Sequence, residues 1–217
     1  MGVNRQKALA FLDDRSNVVV VMSGPTKERI LDAAEQIMLE RSFHSVGLNQ
    51  ILSAVEVPKG SFYHYFVSKE QFGVEMLRHY GKGSTAYKQQ MLLDADVEPD
   101  PIQRLLTFFN MVIGKIQENG GKCPCLIQKL ASEVADFSEA MRDELAKYYA
   151  DSVAILEQVL QEAVKKDRLP ASFDTATEAA FVQDLWSGAQ QRASVFRNAE
   201  ALHQAVELIR QRLGNQA

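Results

Sequence analysis

Every sustained apolar repeat in this chain has the spacing of an α-helix, and none alternates with the period of a half-buried β-strand. Ile30, Ala33, Ala34, Ile37 and Met38 fall at i, i+3, i+4, i+7 and i+8, in a stretch opened by Pro25-Thr26 that runs to about Arg41. A short second helix is predicted over Leu48–Val55. A third follows over Lys59–Tyr65, with Pro58 near its first turn, where a missing N–H costs nothing. Ser68 reads as the N-cap of a fourth, with Phe72, Met76 and Tyr80 on one side. The pattern weakens over Gly81–Asp100 and breaks at Glu98-Pro99-Asp100-Pro101. It resumes over Ile102–Glu118 and stops at Asn119-Gly120-Gly121. Further helices are expected from near Cys125, over Ser138–Lys166 up to a stop at Asp167–Pro170, over Asp174–Phe196 and over Ala199–Leu213. The predicted fold is all-α, with about nine helices.

Composition limits the function classes. The 217 residues are 46% apolar and 24% charged, the balance of an ordinary globular protein. The longest aliphatic run, Val18 to Met22, falls far short of the roughly 20 residues that cross a bilayer. It also lacks the layout of a signal peptide. Two cysteines form no disulfide framework, and we expect a cytoplasmic protein. Net charge is −4, which gives no overall sign of a nucleic-acid binder. Within Met22–Tyr80, cations at 27, 29, 41, 59, 69 and 78 are matched by acids at 28, 32, 35, 40, 56, 70 and 75. DNA contact would have to come from placement, not from bulk charge. No nucleophile elbow, P-loop, zincin or dinucleotide motif is present, and Glu118, Glu133 and Asp136 read as solvated helix charges, so no catalytic residue is assigned and no enzyme activity is expected.

The two short helices joined by Glu56-Val57-Pro58 form a helix-turn-helix unit at Gly47–Phe66. In such a unit the second helix enters the major groove, its N-terminal residues towards the base edges. Ile51, Leu52 and Val55 are predicted to pack inward, with Val57 plugging the turn and Gly60 permitting close approach. Lys59, Ser61, Tyr63 and His64 remain as polar groups able to reach phosphates and bases. Tyr63, Tyr65 and Phe66 at helical spacing are by residue type more often core than contact, and Phe62, Tyr65 and Phe66 are expected to pack inward.

The run Val57-Pro58-Lys59-Gly60-Ser61-Phe62-Tyr63-His64-Tyr65-Phe66, followed by Ser68-Lys69-Glu70 and Phe72, resembles the signature of the TetR family of transcriptional regulators. The resemblance is firm over Thr26–Tyr80. It implies a helix-turn-helix DNA-binding domain at 22–70, and a ligand-sensing and dimerisation domain at 71–217. It also implies a homodimer on a pseudo-palindromic double-stranded DNA operator, a small-molecule effector and no cofactor. The DNA-facing set carried over is Asn49, Gln50, Lys59, Gly60, Ser61, Tyr63, His64 and Lys69. The chain departs from the family pattern at Ser42, where glycine is usual, and at Val46-Gly47, where a Thr/Ser pair usually caps the second helix and touches phosphate.

Gly121-Lys122-Cys123-Pro124-Cys125-Leu126 is the second informative segment. A thiol reacts as its thiolate, and a helix start or a nearby cation favours that form. Cys125 stands at a predicted helix start, with Lys122 and Lys129 close in sequence. Cys125-Leu126, Leu130, Glu133-Val134 and Ser138–Arg142 resemble the NemR/AcuR branch of the family, whose cysteine at this place senses electrophiles, reactive chlorine or acrylate-like compounds. The resemblance therefore implies a sensor at Cys125, with Cys123 additional and Trp186, in Trp186-Ser187-Gly188-Ala189, beside the ligand region. The lysine that the branch tends to carry eight residues after this tryptophan is Ser194 here. The plainer alternative is that both cysteines are small buried apolar groups. Cys123 and Cys125 supply two of the about four ligands zinc needs, and His44, His64, His79 and His203 are not spaced to complete them, so no metal is expected.

Phe181, Leu185, Ala189, Phe196, Leu202, Ala205, Ile209 and Leu213 recur with helical spacing in the last two helices. They are expected to form a four-helix dimer interface; the alternative is that they close the protomer's own core. Residues 1–21 read as an N-terminal extension before a family-like start at Met22. Its rival is a minor-groove arm using Arg5, Lys7 and Arg15. For the function, the rivals to electrophile-released repression are a reversible non-covalent ligand and a ligand-independent DNA-binding protein.

Overall fold

A computed structural model of the chain describes residues 25–123 and 125–214, and the expectations for residues 1–21 lie outside that range. Among the described residues there are helices and no strands: α1 (Thr26–Glu40), α2 (Leu48–Ala54), α3 (Lys59–Tyr65), α4 (Lys69–Leu93), α5 (Pro101–Glu118), α6 (Leu126–Val134), α7 (Glu139–Lys165), α8 (Thr175–Phe196) and α9 (Glu200–Gly214). None of them is long and apolar enough to cross a membrane.

Local chemistry explains where they begin and end. Ser68 caps α4 by accepting from the Gln71 N–H at 3.0 Å, and the Gln71 side chain accepts in return from the Val67 N–H at 2.6 Å. Asp100 caps α5 on the Ile102 N–H at 2.9 Å, and Asp174 caps α8 on the Thr177 N–H at 3.1 Å. The α5 stop is a Schellman turn: the Gly121 N–H reaches the Ile116 carbonyl at 2.8 Å and the Gly120 N–H the Gln117 carbonyl at 3.0 Å. Gly121, at φ +78°, also lies so close to the Arg197 backbone that a Cβ would meet it at 2.3 Å. Pro58 occupies the N-cap of α3, one residue before the first-turn place expected for it.

The chain divides into two compact units, each discontinuous in sequence. In the first, residues 25–83 join 125–148. Ile30, Ala34, Met38, Phe43, Ile51, Leu52, Val55, Phe62, Phe66, Phe72 and Met76 are all buried there. Phe62, Phe66 and Phe72 form a ring cluster with centroids 5.0–5.5 Å apart. Gly73 lets Phe43 and Met141 in; a Cβ would meet Phe43 Cζ at 2.7 Å and Met141 Cε at 2.8 Å.

In the second unit, residues 84–123 join 149–214 around an apolar core of Leu105, Phe109, Ile113, Leu160, Val182, Trp186, Leu202 and Ile209. Arg104, only 1% exposed, donates to the carbonyls of Leu92 at 2.7 Å and Glu98 at 2.6 Å and pairs with Glu162. The buried Glu178 of α8 takes both arms of Arg212 of α9, at 2.7 and 2.6 Å.

Helix α4 runs through Gly81 and Gly83 to Leu93, across the stretch where the sequence pattern fades. Each glycine costs a helix about 1 kcal/mol relative to alanine. Packing of Tyr87, Met91, Leu92 and Leu93 against the second unit's core offsets that cost. Gly81 has a use of its own: a Cβ there would already touch Tyr148 at 3.5 Å.

Candidate nucleic-acid interface and cysteine segment

The helix-turn-helix turn is built on a strained residue. Glu56 has φ +56°, a left-handed conformation that glycine adopts more easily. It closes a Schellman turn on α2, with Val57 N–H on the Leu52 carbonyl at 3.0 Å and Glu56 N–H on the Ser53 carbonyl at 3.4 Å. The Arg29 guanidinium of α1 donates to the Val55 carbonyl at 2.8 Å and so holds the end of α2 from within the unit. Val57, expected to plug the turn, is half-buried.

Helix α3 separates its residues cleanly. Phe62 is buried, as is Phe66 just beyond the helix, while Tyr65 is half-buried. Lys59, Gly60 and His64 are exposed, Ser61 is half-buried, and Tyr63 is 57% exposed. A Cβ on Gly60 would meet nothing within 4 Å, so packing inside the protein does not require glycine there. On α2, Asn49 is exposed and Gln50 half-buried, with the Gln50 carbonyl oxygen 3.4 Å from the Arg41 guanidinium. Lys69 is placed differently. Its ammonium donates to the carbonyls of Val46 at 3.0 Å and His44 at 3.4 Å, and lies 5.1 Å from the centre of the Phe43 ring.

Sequence reading missed the contribution of α6. Glu133, read as a solvated charge, accepts from the Phe43 N–H at 3.1 Å and the His44 N–H at 2.9 Å, with the His44 ring nitrogen also at 2.9 Å. Burial pushes its carboxyl up, but the His44 and Phe43 N–H groups and the His44 ring outweigh this and hold it below the ordinary value. Lys129 donates to the Leu39 carbonyl at 2.7 Å, on the last turn of α1.

Cys125 is the N-cap of α6, and both it and Cys123 are half-buried and outside any disulfide. The buried Tyr80 phenol is held well above its ordinary value, first by burial, then by Cys125, Tyr148 and Glu35. Cys123 packs on the core of the second unit. Trp186 is in that core, its ring 4.4 Å from Phe109. An open cleft of about 510 Å³ between α5 and α9, lined by Gln103, Asn110, His203 and Arg210 among others, includes neither cysteine nor Trp186. No group of three or more His, Cys, Asp or Glu among the described residues is arranged to hold a metal.

The apolar stripe of the last two helices divides. Leu202, Ala205, Ile209 and Leu213 are enclosed in the protomer's own core, with Ala189, and have almost no surface left to offer a partner. Phe181 and Phe196 are exposed and Leu185 is half-buried. The Arg212 guanidinium covers one side of the Phe181 ring at 4.3 Å. Val195 and Leu208, which the sequence reading passed over, are exposed apolar residues on the same two helices.

Residues 30–76 match the model of the bacterial regulatory proteins of the tetR family, and residues 101–209 that of tetracyclin repressor-like C-terminal domains. Over 184 residues the chain is 38% identical to the HTH-type transcriptional repressor NemR of Escherichia coli K12, across 83% of this chain and 90% of that one. The chain belongs to the TetR family. It is also 29% identical over 176 residues to the transcriptional regulator AcuR of Cereibacter sphaeroides, across 81% of this chain and 80% of that one. The crystal structure of reduced E. coli NemR aligns with a TM-score of 0.77 at 33% identity, covering 85% of this chain and 96% of that one. The TetR resemblance and the all-helical architecture expected from the sequence both hold.

Proposed function

We propose that this chain is a DNA-binding transcriptional repressor, dimeric on its operator, that lets go of DNA when an electrophile modifies Cys125. The observation that carries the DNA-binding part is the division of α3. Its apolar residue Phe62 is buried, while Lys59, Tyr63 and His64 stand in solvent, free to meet a major groove. Lysine serves phosphates, and tyrosine and histidine serve base edges and sugars. Asn49 on α2 is exposed for the flanking backbone.

A second copy supplies the two-fold symmetry that places two recognition helices over successive half-sites. The surface available for it is Phe181, Leu185, Val195, Phe196 and Leu208. Sedimentation should give a dimer at micromolar concentration, and a Phe196→Glu, Leu208→Glu variant should shift towards monomer and lose operator binding.

The sensing part rests on the half-buried Cys125 at the start of α6 and on the likeness to NemR. The thiolate sulfur adds to the β-carbon of an unsaturated carbonyl compound, a carbon–sulfur bond forms, and the α-carbon takes up a proton. The test is a gel-shift assay on the DNA upstream of the gene, with and without such a compound. Wild type should be released. Cys125→Ser should bind and stay bound, and Cys123→Ser should still be released. Release of Cys125→Ser would instead indicate a reversible ligand.

A further inference from the structure

The connection between α1 and α2 is gripped from several elements of the same unit. Its N–H groups at Phe43 and His44 are taken by Glu133 of α6. Its carbonyls at His44 and Val46 are taken by Lys69 of α4. The Phe43 ring is lodged beside Gly73 and Met141, and the Phe137 ring, just past α6, lies 4.5 Å from His44 and 6.0 Å from Phe43. One helical turn before Glu133, Lys129 holds the Leu39 carbonyl at the end of α1. The segment so held leads straight into Gly47, the N-cap of α2.

We propose that Lys129 and Glu133 are positioning residues of the DNA-reading head, which fix α2 through the α1–α2 connection and deliver to it any change at Cys125. The second half rests on the functional reading above. The three residues form one ladder. The Lys129 N–H donates to the Cys125 carbonyl at 3.1 Å, and Glu133 follows four residues later on the same side of the helix. A helix this short is stiff, so displacement of its capped end moves both side-chain grips with it. Neither grip rests on side-chain pairing alone, although Glu133 also meets the exposed His44 ring. Lys129 is bonded to a backbone carbonyl and Glu133 to two backbone N–H groups, so the chain cannot follow a rotamer change and must shift or let go.

The experiment uses the full-length Cys123→Ser protein, alkylated at Cys125 with iodoacetamide, the thiolate displacing iodide. Backbone amide exchange over residues 42–47 and operator affinity are read before and after. Alkylation should speed exchange in this segment by about tenfold or more and weaken operator binding by a similar factor. Glu133→Ala should show fast exchange and weak binding already, with little further change on alkylation. Lys129→Met and Glu133→Gln, which keep more of the native packing, should shift the same way by less, and they stand in should Glu133→Ala not fold. A purely structural role for Glu133 would lower affinity in both states and preserve their ratio, which would overturn the proposal. So would exchange over 42–47 that ignores alkylation. If alkylation loosens the segment while operator affinity stays the same, the electrophile-release reading fails and the positioning role stands.

Discussion

The ammonium of Lys69 donates to the carbonyl of Val46 at 3.0 Å, beneath the residue that precedes the N-cap of α2. A lysine so engaged stabilises the reading head and has little freedom to neutralise a phosphate. Lys69→Met should therefore lower stability by about 1.5 kcal/mol, the lower end for hydrogen bonds involving a charged group, since the site is partly exposed. It should leave the salt dependence of operator binding unchanged. Lys59→Ala should do the reverse, sparing the urea midpoint and reducing the slope of log affinity against log salt by about 0.9. Titrations at several salt concentrations separate the two.

Tyr63 projects from α3 with most of its surface in water, so removing its ring leaves no cavity. Tyr63→Ala should melt like wild type but bind the operator more weakly by about 1–3 kcal/mol, the range for a good base contact. Competition with non-specific DNA measures whether the loss is one of specificity.

Glu56 holds a backbone conformation that costs a residue with a Cβ roughly 1–2 kcal/mol. Glu56→Gly should raise stability, by about 0.5–1 kcal/mol after the entropy of glycine in the unfolded chain is counted. Glu56→Val should lower it, since a β-branched residue tolerates positive φ least. Thermal melts of the three proteins should fall in that order.

His79 is bound to Asp32 at 2.8 Å, and this bond, then the Asp32, Glu35 and Glu28 charges, raise its pKa above the ordinary 6.5 against the opposing effect of burial. A raised folded-state pKa gives stability that is whole below 6.5 and disappears as pH climbs through the folded value. Wild type should thus lose stability from pH 6.5 upward relative to His79→Gln, which lacks the proton. Urea midpoints across pH 5.5–8.5 supply the comparison; parallel curves would remove the effect.

Arg104 has all three of its side-chain nitrogens engaged and a side chain with no exposed surface. Arg104→Ala should cost several kcal/mol, because it leaves the buried Leu92 carbonyl, the half-buried Glu98 carbonyl and the Glu162 carboxylate with one partner fewer and opens a cavity. Arg104→Met, which refills most of the volume, should recover part of this, as chemical unfolding would show.

What could be read in the sequence was local. Helix limits followed from repeats and stops such as Ser68, Asp100 and Gly120-Gly121, whose effects reach three or four residues. The outward set on α3 was legible through the family motif, since residue type alone does not separate the aromatic neighbours Phe62, which is buried, and Tyr63, which is exposed. The role of Glu133 was not, since its partner is a backbone N–H 89 residues away and a backbone N–H carries no sequence signature. The apolar stripe of α9 was visible, but a stripe does not say which surface it meets: Leu202, Ile209 and Leu213 turned to their own core. The partner of Lys69 was hidden for the same reason as that of Glu133.

The first unit is assembled from residues 25–83 and 125–148, two stretches of chain separated by forty-one residues that belong elsewhere. Anyone transplanting this reading head onto a different sensor would take the amino-terminal stretch as a cassette, ending at about residue 83. Such a cassette leaves the Phe43 and His44 N–H groups without their carboxylate, Lys129's carbonyl on Leu39 bare, and the Gly73 socket without Met141. A working chimera has to be spliced twice, bringing α6 and the first turns of α7 along with the helix-turn-helix.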